Sequence, residues 1–110
     1  MALIGVIGPE QDSAGVDLDR WRRLIAADPR LERSPPRDIV NPFTGKPTVV
    51  VPPDTAATIV LDAVQVGAIT VSDSDAIELS VWAADEHHDQ VHEVAAAIAA
   101  QLDGHYVPLP

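Results

Sequence analysis

The chain contains no cysteine, which excludes a disulfide framework, thiolate metal ligands and a thiol nucleophile. Aromatic residues are scarce, only Trp21, Phe43, Trp82 and Tyr106, so the core has to be built from Ala, Val, Ile and Leu. Long apolar runs are absent as well, and nothing approaches the roughly 20 residues of a membrane-spanning helix. The apolar start, Ala2 to Ile7, has no basic flank and reads as a buried strand rather than a signal peptide, which makes the cytoplasm the expected compartment. Basic residues are missing from everything after Lys46.

That last absence organises the charge. All seven basic residues lie between Arg20 and Lys46, where seven acids balance the first 46 positions. The net charge of −10 therefore resides in residues 47–110, which also hold all four histidines. Such a field repels nucleic acid and anionic membrane and steers a basic partner inward.

At 110 residues the chain is expected to form one domain, large enough for a core without staples. After the first strand, the spacing predicts a helix over 18–27. Asp17 is its N-cap, Val16 and Trp21 form a hydrophobic staple, and Leu18, Trp21, Leu24 and Ile25 form its buried stripe. Asp28-Pro29 stops it, because a residue before proline is pushed out of the helical region. Residues 30–38 read as a loop that opens on a short edge strand. Two β-branched runs then flank Asn41-Pro42-Phe43-Thr44-Gly45, a hairpin expected at a sheet edge because its prolines donate no ladder bond. Strands are predicted at 58–61, 68–72 and 77–82. In the last of these, Ile77, Leu79 and Val81 share one face, and Glu78, Ser80 and Trp82 the other. A long helix from Asp85 to Leu102 follows, with Asp85 as N-cap and Gly104 as its stop; Val91, Val94, Ala95, Ile98 and Leu102 form its apolar stripe. A short strand at 105–107 closes the chain. Strands in a meander bracketed by helices predict an α+β fold, an antiparallel sheet with both helices packed on one face. The nearest named topology is ferredoxin-like with an added hairpin.

Familiar catalytic signatures fail on context. Gly45-Lys46 is followed by Pro47 where a phosphate-binding loop needs Ser or Thr, and His92-Glu93 is not followed by the second histidine of a zinc protease. No serine lies in a Gly-x-Ser-x-Gly elbow. Asp73-Ser74-Asp75 lacks the glycine and distal glutamate of a calcium loop and reads as a turn.

Two surfaces remain as candidates. His88 and His92 are one helical turn apart, a spacing that lets two imidazoles meet one divalent metal, with Asp85 and Asp89 beside them and a third ligand available from His105, Asp73 or Asp75. Glu78, Trp82, Glu86 and Glu93, with Asp85 and Asp89, form the candidate surface for a basic partner, Trp82 being its anchor. The expected function is a non-enzymatic acidic interaction module, in the manner of an immunity or inhibitor protein, acting as monomer or homodimer. A metal-dependent enzyme or sensor built on His88 and His92, and a small-ligand regulatory domain with a pocket between sheet and helices, are the alternatives.

The hairpin carries one resemblance. Asn41-Pro42-Phe43-Thr44-Gly45, set after a helix ending Ala-Ala-Asp-Pro and before a β-branched run, resembles small uncharacterised bacterial proteins with an Asn-Pro-x-Thr-Gly hairpin between two helices. The likeness covers about the first half of the chain. It implies no activity and transfers no functional residue.

Overall fold

The computed structural model describes residues 2–9, 15–73 and 77–109. Among the described residues eight strands and two helices follow one another. They are β1 (Ala2–Pro9), α1 (Leu18–Ala27), β2 (Leu31–Arg33), β3 (Arg37–Val40), β4 (Pro47–Val50), β5 (Ala57–Leu61), β6 (Val64–Asp73), β7 (Ile77–Ala83), α2 (His88–Gln101) and β8 (Gly104–Pro108). Six strands form one antiparallel sheet in the order β2-β5-β6-β7-β1-β8, and β3 and β4 form a separate two-stranded sheet. The class is α+β.

Both helices lie on one face, where α2 crosses β1, β7 and β8, and α1 packs beside β2. Strands β7 and β8 flank β1 and are joined by α2, the split β-α-β unit expected of a ferredoxin-like arrangement. The unit around α1 is wider than that topology. It joins β1 to β2 with β7, β6 and β5 between them, because the meander inserts two additional strands.

Local chemistry explains the elements. The Asp17 carboxylate accepts from the backbone N–H groups of Asp19 and Arg20, so α1 starts as predicted. Val16 and Trp21 are both buried as a staple, and the Trp21 indole N–H donates to the Thr55 carbonyl at 2.8 Å, which ties α1 to the segment entering β5. The stripe Val91, Val94, Ala95, Ile98 and Leu102 is buried against Ile7, Leu79 and Val81 of the sheet. Trp21, Ile59 and Ile69 are wholly enclosed in the same core.

Both ends of the predicted long helix are corrected. Asp85 is not its N-cap: residues Asp85–His87 form a single 3₁₀ turn, and α2 begins at His88 with no side chain capping it. Ala84, whose side chain has no acceptor, stands before that turn. At the other end Asp103, with φ 54°, takes the left-handed position expected of Gly104. Gly104 instead lies against the backbone of Gly8, so close that a Cβ would collide with the Gly8 carbonyl oxygen; the glycine lets β8 pair tightly with β1. Strand β6 also begins earlier than predicted, since Asp62 and Ala63 both adopt positive φ and make a two-residue turn from β5.

The hairpin forms, but not at the edge of the main sheet. Asn41 accepts through its side chain from Phe43 N–H at 2.9 Å and through its carbonyl from Gly45 N–H at 2.8 Å, and Gly45 supplies the positive φ of 69°. Ser34-Pro35-Pro36 precedes this hairpin and Val51-Pro52-Pro53 follows it. Proline lacks the donor that a ladder needs, so the paired prolines interrupt the β2/β5 ladder and separate the hairpin from the sheet.

Candidate functional site

His88 and His92 lie on the first two turns of α2 with their rings edge to face, 6.2 Å between centroids. One ring nitrogen of His92 is already engaged. Nδ1 of His92 is 2.6 Å from the Tyr106 hydroxyl, which in turn reaches the Ile4 carbonyl at 3.5 Å. The Tyr106 ring is seated directly over Gly5, where a Cβ would strike it. The glycine, at an irregularity in the β1 ladder between Leu3 and Gly5, is therefore what admits the tyrosine. Burial holds the Tyr106 phenol above its ordinary pKa, so it stays a neutral donor. Nε2 of His88 is enclosed and has no hydrogen-bond partner; the nearest acid, Asp85 Oδ1, is 3.6 Å away on a side chain that is 97% exposed.

Among the described residues no three His, Asp or Glu side chains converge as a metal-binding group. His105 alternates with Tyr106 along β8 and is exposed on the side of the sheet away from α2. Asp89 is exposed on α2. Asp75 and the side chain of Asp73 lie outside the described residues. The His92–Tyr106 contact was not legible from helix spacing alone, although a glycine within an apolar strand is a signal that something packs closely against it.

The residues proposed for a basic partner divide between two surfaces. Leu79, Val81 and Ala83 of β7 face the helices, so Glu78, Ser80 and Trp82 face the opposite way. Glu86, Asp89 and Glu93 lie on the exposed side of the 3₁₀ turn and α2, across the sheet from Trp82. The structure therefore does not gather the six side chains into one patch. Trp82 is half-buried, with its indole N–H donating to Thr70 Oγ1 at 3.1 Å. Around it the register places Leu3, Ala68 and Thr58 in one cross-strand row, and Val6, Ser80, Thr70 and Val107 in the next. No helix covers this face among the described residues.

The acids of the second half are also largely without internal partners. Arg20 is paired with Asp103, Arg22 with Asp19 and Asp54, and Arg30 with Asp28. These pairs engage three of the five arginines outside the β3–β4 hairpin, and among the described residues Glu78, Glu86, Asp89 and Glu93 have no Lys or Arg within ion-pair distance.

The most unusual surface is the arm formed by β3 and β4. Every residue of both strands is exposed, and beyond its own ladder the arm makes no extensive contact with the main sheet or the helices. Cross-strand register pairs Arg37 with Val50 and Ile39 with Thr48 on one face, and Asp38 with Val49 and Val40 with Pro47 on the other. Both faces thus carry exposed large apolar side chains, and Phe43 at the tip is 95% exposed. A cleft of about 420 Å³ at the root is lined by Arg33, Pro35, Pro36, Val51 and Pro52. A second cleft of about 320 Å³, lined by Arg20, Arg23, Leu24, Gln101 and Leu102, separates α1 from the end of α2. Neither contains a histidine, and the only hydroxyl, that of Ser34 in the first cleft, is paired with Thr58 Oγ1 at 3.3 Å. Paired prolines and β-branched runs announce a hairpin, but not that it leaves the sheet with both faces open.

The fold and these surfaces define a small α+β domain of open-faced sheet and projecting arm. No protein-family model, no curated protein and no solved structure matches the chain. No helix among the described residues is long and apolar enough to cross a membrane.

Proposed function

We propose that the protein is a non-enzymatic interaction module, an acidic body that presents an apolar β-arm to a polypeptide partner. The exposure of Ile39, Val40, Phe43, Val49, Val50 and Val51 on one projecting hairpin carries the reading. A two-stranded hairpin on its own is only marginally stable in water, and contiguous apolar surface on a folded domain marks a place where something binds. The acidic body favours a partner with basic groups, which orient the encounter while the arm supplies the apolar contact. An immunity or inhibitor protein works in this way, by occupying its partner rather than by transforming it.

A photo-activated cross-linking residue at position 43, in cells that express the full chain, tests the reading. Irradiation is expected to give a discrete polypeptide adduct. The same residue at position 62, in the exposed β5–β6 turn, is expected to give none. No adduct at position 43, or equal yields at the two positions, overturns it.

A further inference from the structure

We infer that the polypeptide received by the arm is a second copy of this chain, each arm lying across the uncovered sheet face of the other copy in a two-fold dimer. The inference rests on the reading of the arm as the binding element. It names the occupant of both unpartnered surfaces at once.

Charge complementarity points to self-association. Residues 37–50 hold Arg37 and Lys46 against Asp38 alone, whereas the rest of the chain holds sixteen acids and five basic residues. The arm therefore has the opposite sign to its own body. It projects from that body rather than folding onto it, so the matching acidic surface belongs to another copy. On the arm, Arg37 shares a face with Ile39 and Val50; on the uncovered sheet face, Glu78 lies on the same strand and side as Trp82. Laid together, the apolar pair covers Trp82 and Arg37 meets Glu78.

Dimensions agree. Four-residue strands at about 3.4 Å per residue make an arm roughly 14 Å long, which fits along the five to ten residues of β5, β6, β7 and β1 that form the open face. Specific interfaces bury about 1,200–2,000 Å² in all, a size that two exchanged arms approach more closely than one. A two-fold arrangement supplies the second arm without further design, because self-complementary patches close on themselves.

Sedimentation equilibrium of the full chain across the micromolar range tests this directly, with Arg37→Glu, Glu78→Arg and the double variant measured alongside. The native chain is expected to approach twice its monomer mass, and each single charge reversal to weaken association by about tenfold. The double variant is expected to recover the native constant. Because recovery requires the two residues to meet, it keeps the test decisive even where a single variant also lowers the unfolding temperature. A dimer indifferent to both reversals, or single losses that the double variant fails to repair, overturns the inference. A monomeric chain that still cross-links from position 43 to a polypeptide of different mass overturns the second copy and leaves the arm as binding element. A monomeric chain without such adducts overturns both. Co-sedimentation of the monomer with phosphatidylcholine–phosphatidylserine vesicles would make a lipid surface the occupant and overturn the inference as well.

Discussion

The hydroxyl of Tyr106 lies 2.6 Å from Nδ1 of His92, over a glycine that exists to make room for it. The contact joins β8 to α2 across β1 and fixes the start of a helix whose first residue has no side-chain cap. Tyr106→Phe is expected to lower unfolding free energy by about 1 kcal/mol, the usual net value of one such bond. Gly5→Ala, which displaces the ring, is expected to cost about 1–3 kcal/mol as overpacking. Urea denaturation of the two variants checks both, and Gly5→Ala is expected to be the more damaging.

Asp28 gives a pH dependence of known sign. Hydrogen bonds from Arg30 hold its carboxyl below the ordinary value of 3.8 in the folded chain. A carboxylate whose folded pKa is depressed contributes stability that is fully present above its unfolded value and disappears as pH falls through the folded one. Asp28→Asn is therefore expected to cost about 1–2 kcal/mol at neutral pH, and the gap from the native chain is expected to close as the solution is acidified below pH 3.8. A gap independent of pH from neutrality into that range would show that the carboxylate charge is not what Arg30 holds.

Addition of zinc, nickel, manganese or calcium to metal-stripped protein checks the histidine pair. A ligand at about a hundred times its dissociation constant adds about 2.7 kcal/mol, several degrees in a domain of this size. With no third ligand converging among the described residues, no such shift is expected. A shift present in the native chain and lost in His88→Ala/His92→Ala would make the pair a metal site.

Much of this fold is legible residue by residue. Asp17, Val16 and Trp21 announce the start of α1, and the apolar spacing of α2 predicts Val91, Val94, Ala95, Ile98 and Leu102 as buried while missing Ala99. The misses share one physical cause, in that several residues can serve the same backbone need. Asp103 takes a left-handed position that Gly104 was expected to fill, and Asp62-Ala63 turns the chain without the asparagine and glycine that usually mark such a turn. The surfaces are less legible than the core. Alternation along β7 places Trp82 opposite Leu79 and Val81, but it cannot say that this face is uncovered, nor that Glu86 and Glu93 lie across the sheet from it. Those facts depend on where the helices dock, and one period of one strand does not carry that information. The β-branched run Thr48 to Val51 looks like core by composition; only the proline pairs at either side hint that it leaves the core behind.

Amide hydrogen exchange in the arm, followed as a function of protein concentration, tests the central claim most directly. Among the described residues the two four-residue strands make no extensive contact with the body, so their ladder amides should exchange rapidly when copies are kept apart. Once the arm is seated on a partner's sheet, the amides of Ile39, Val40, Val49 and Val50 are expected to become protected, together with those of the strands around Trp82, while the protection of α1 stays unchanged. Arm amides that exchange rapidly at every concentration would contradict the arm as a docking element between copies.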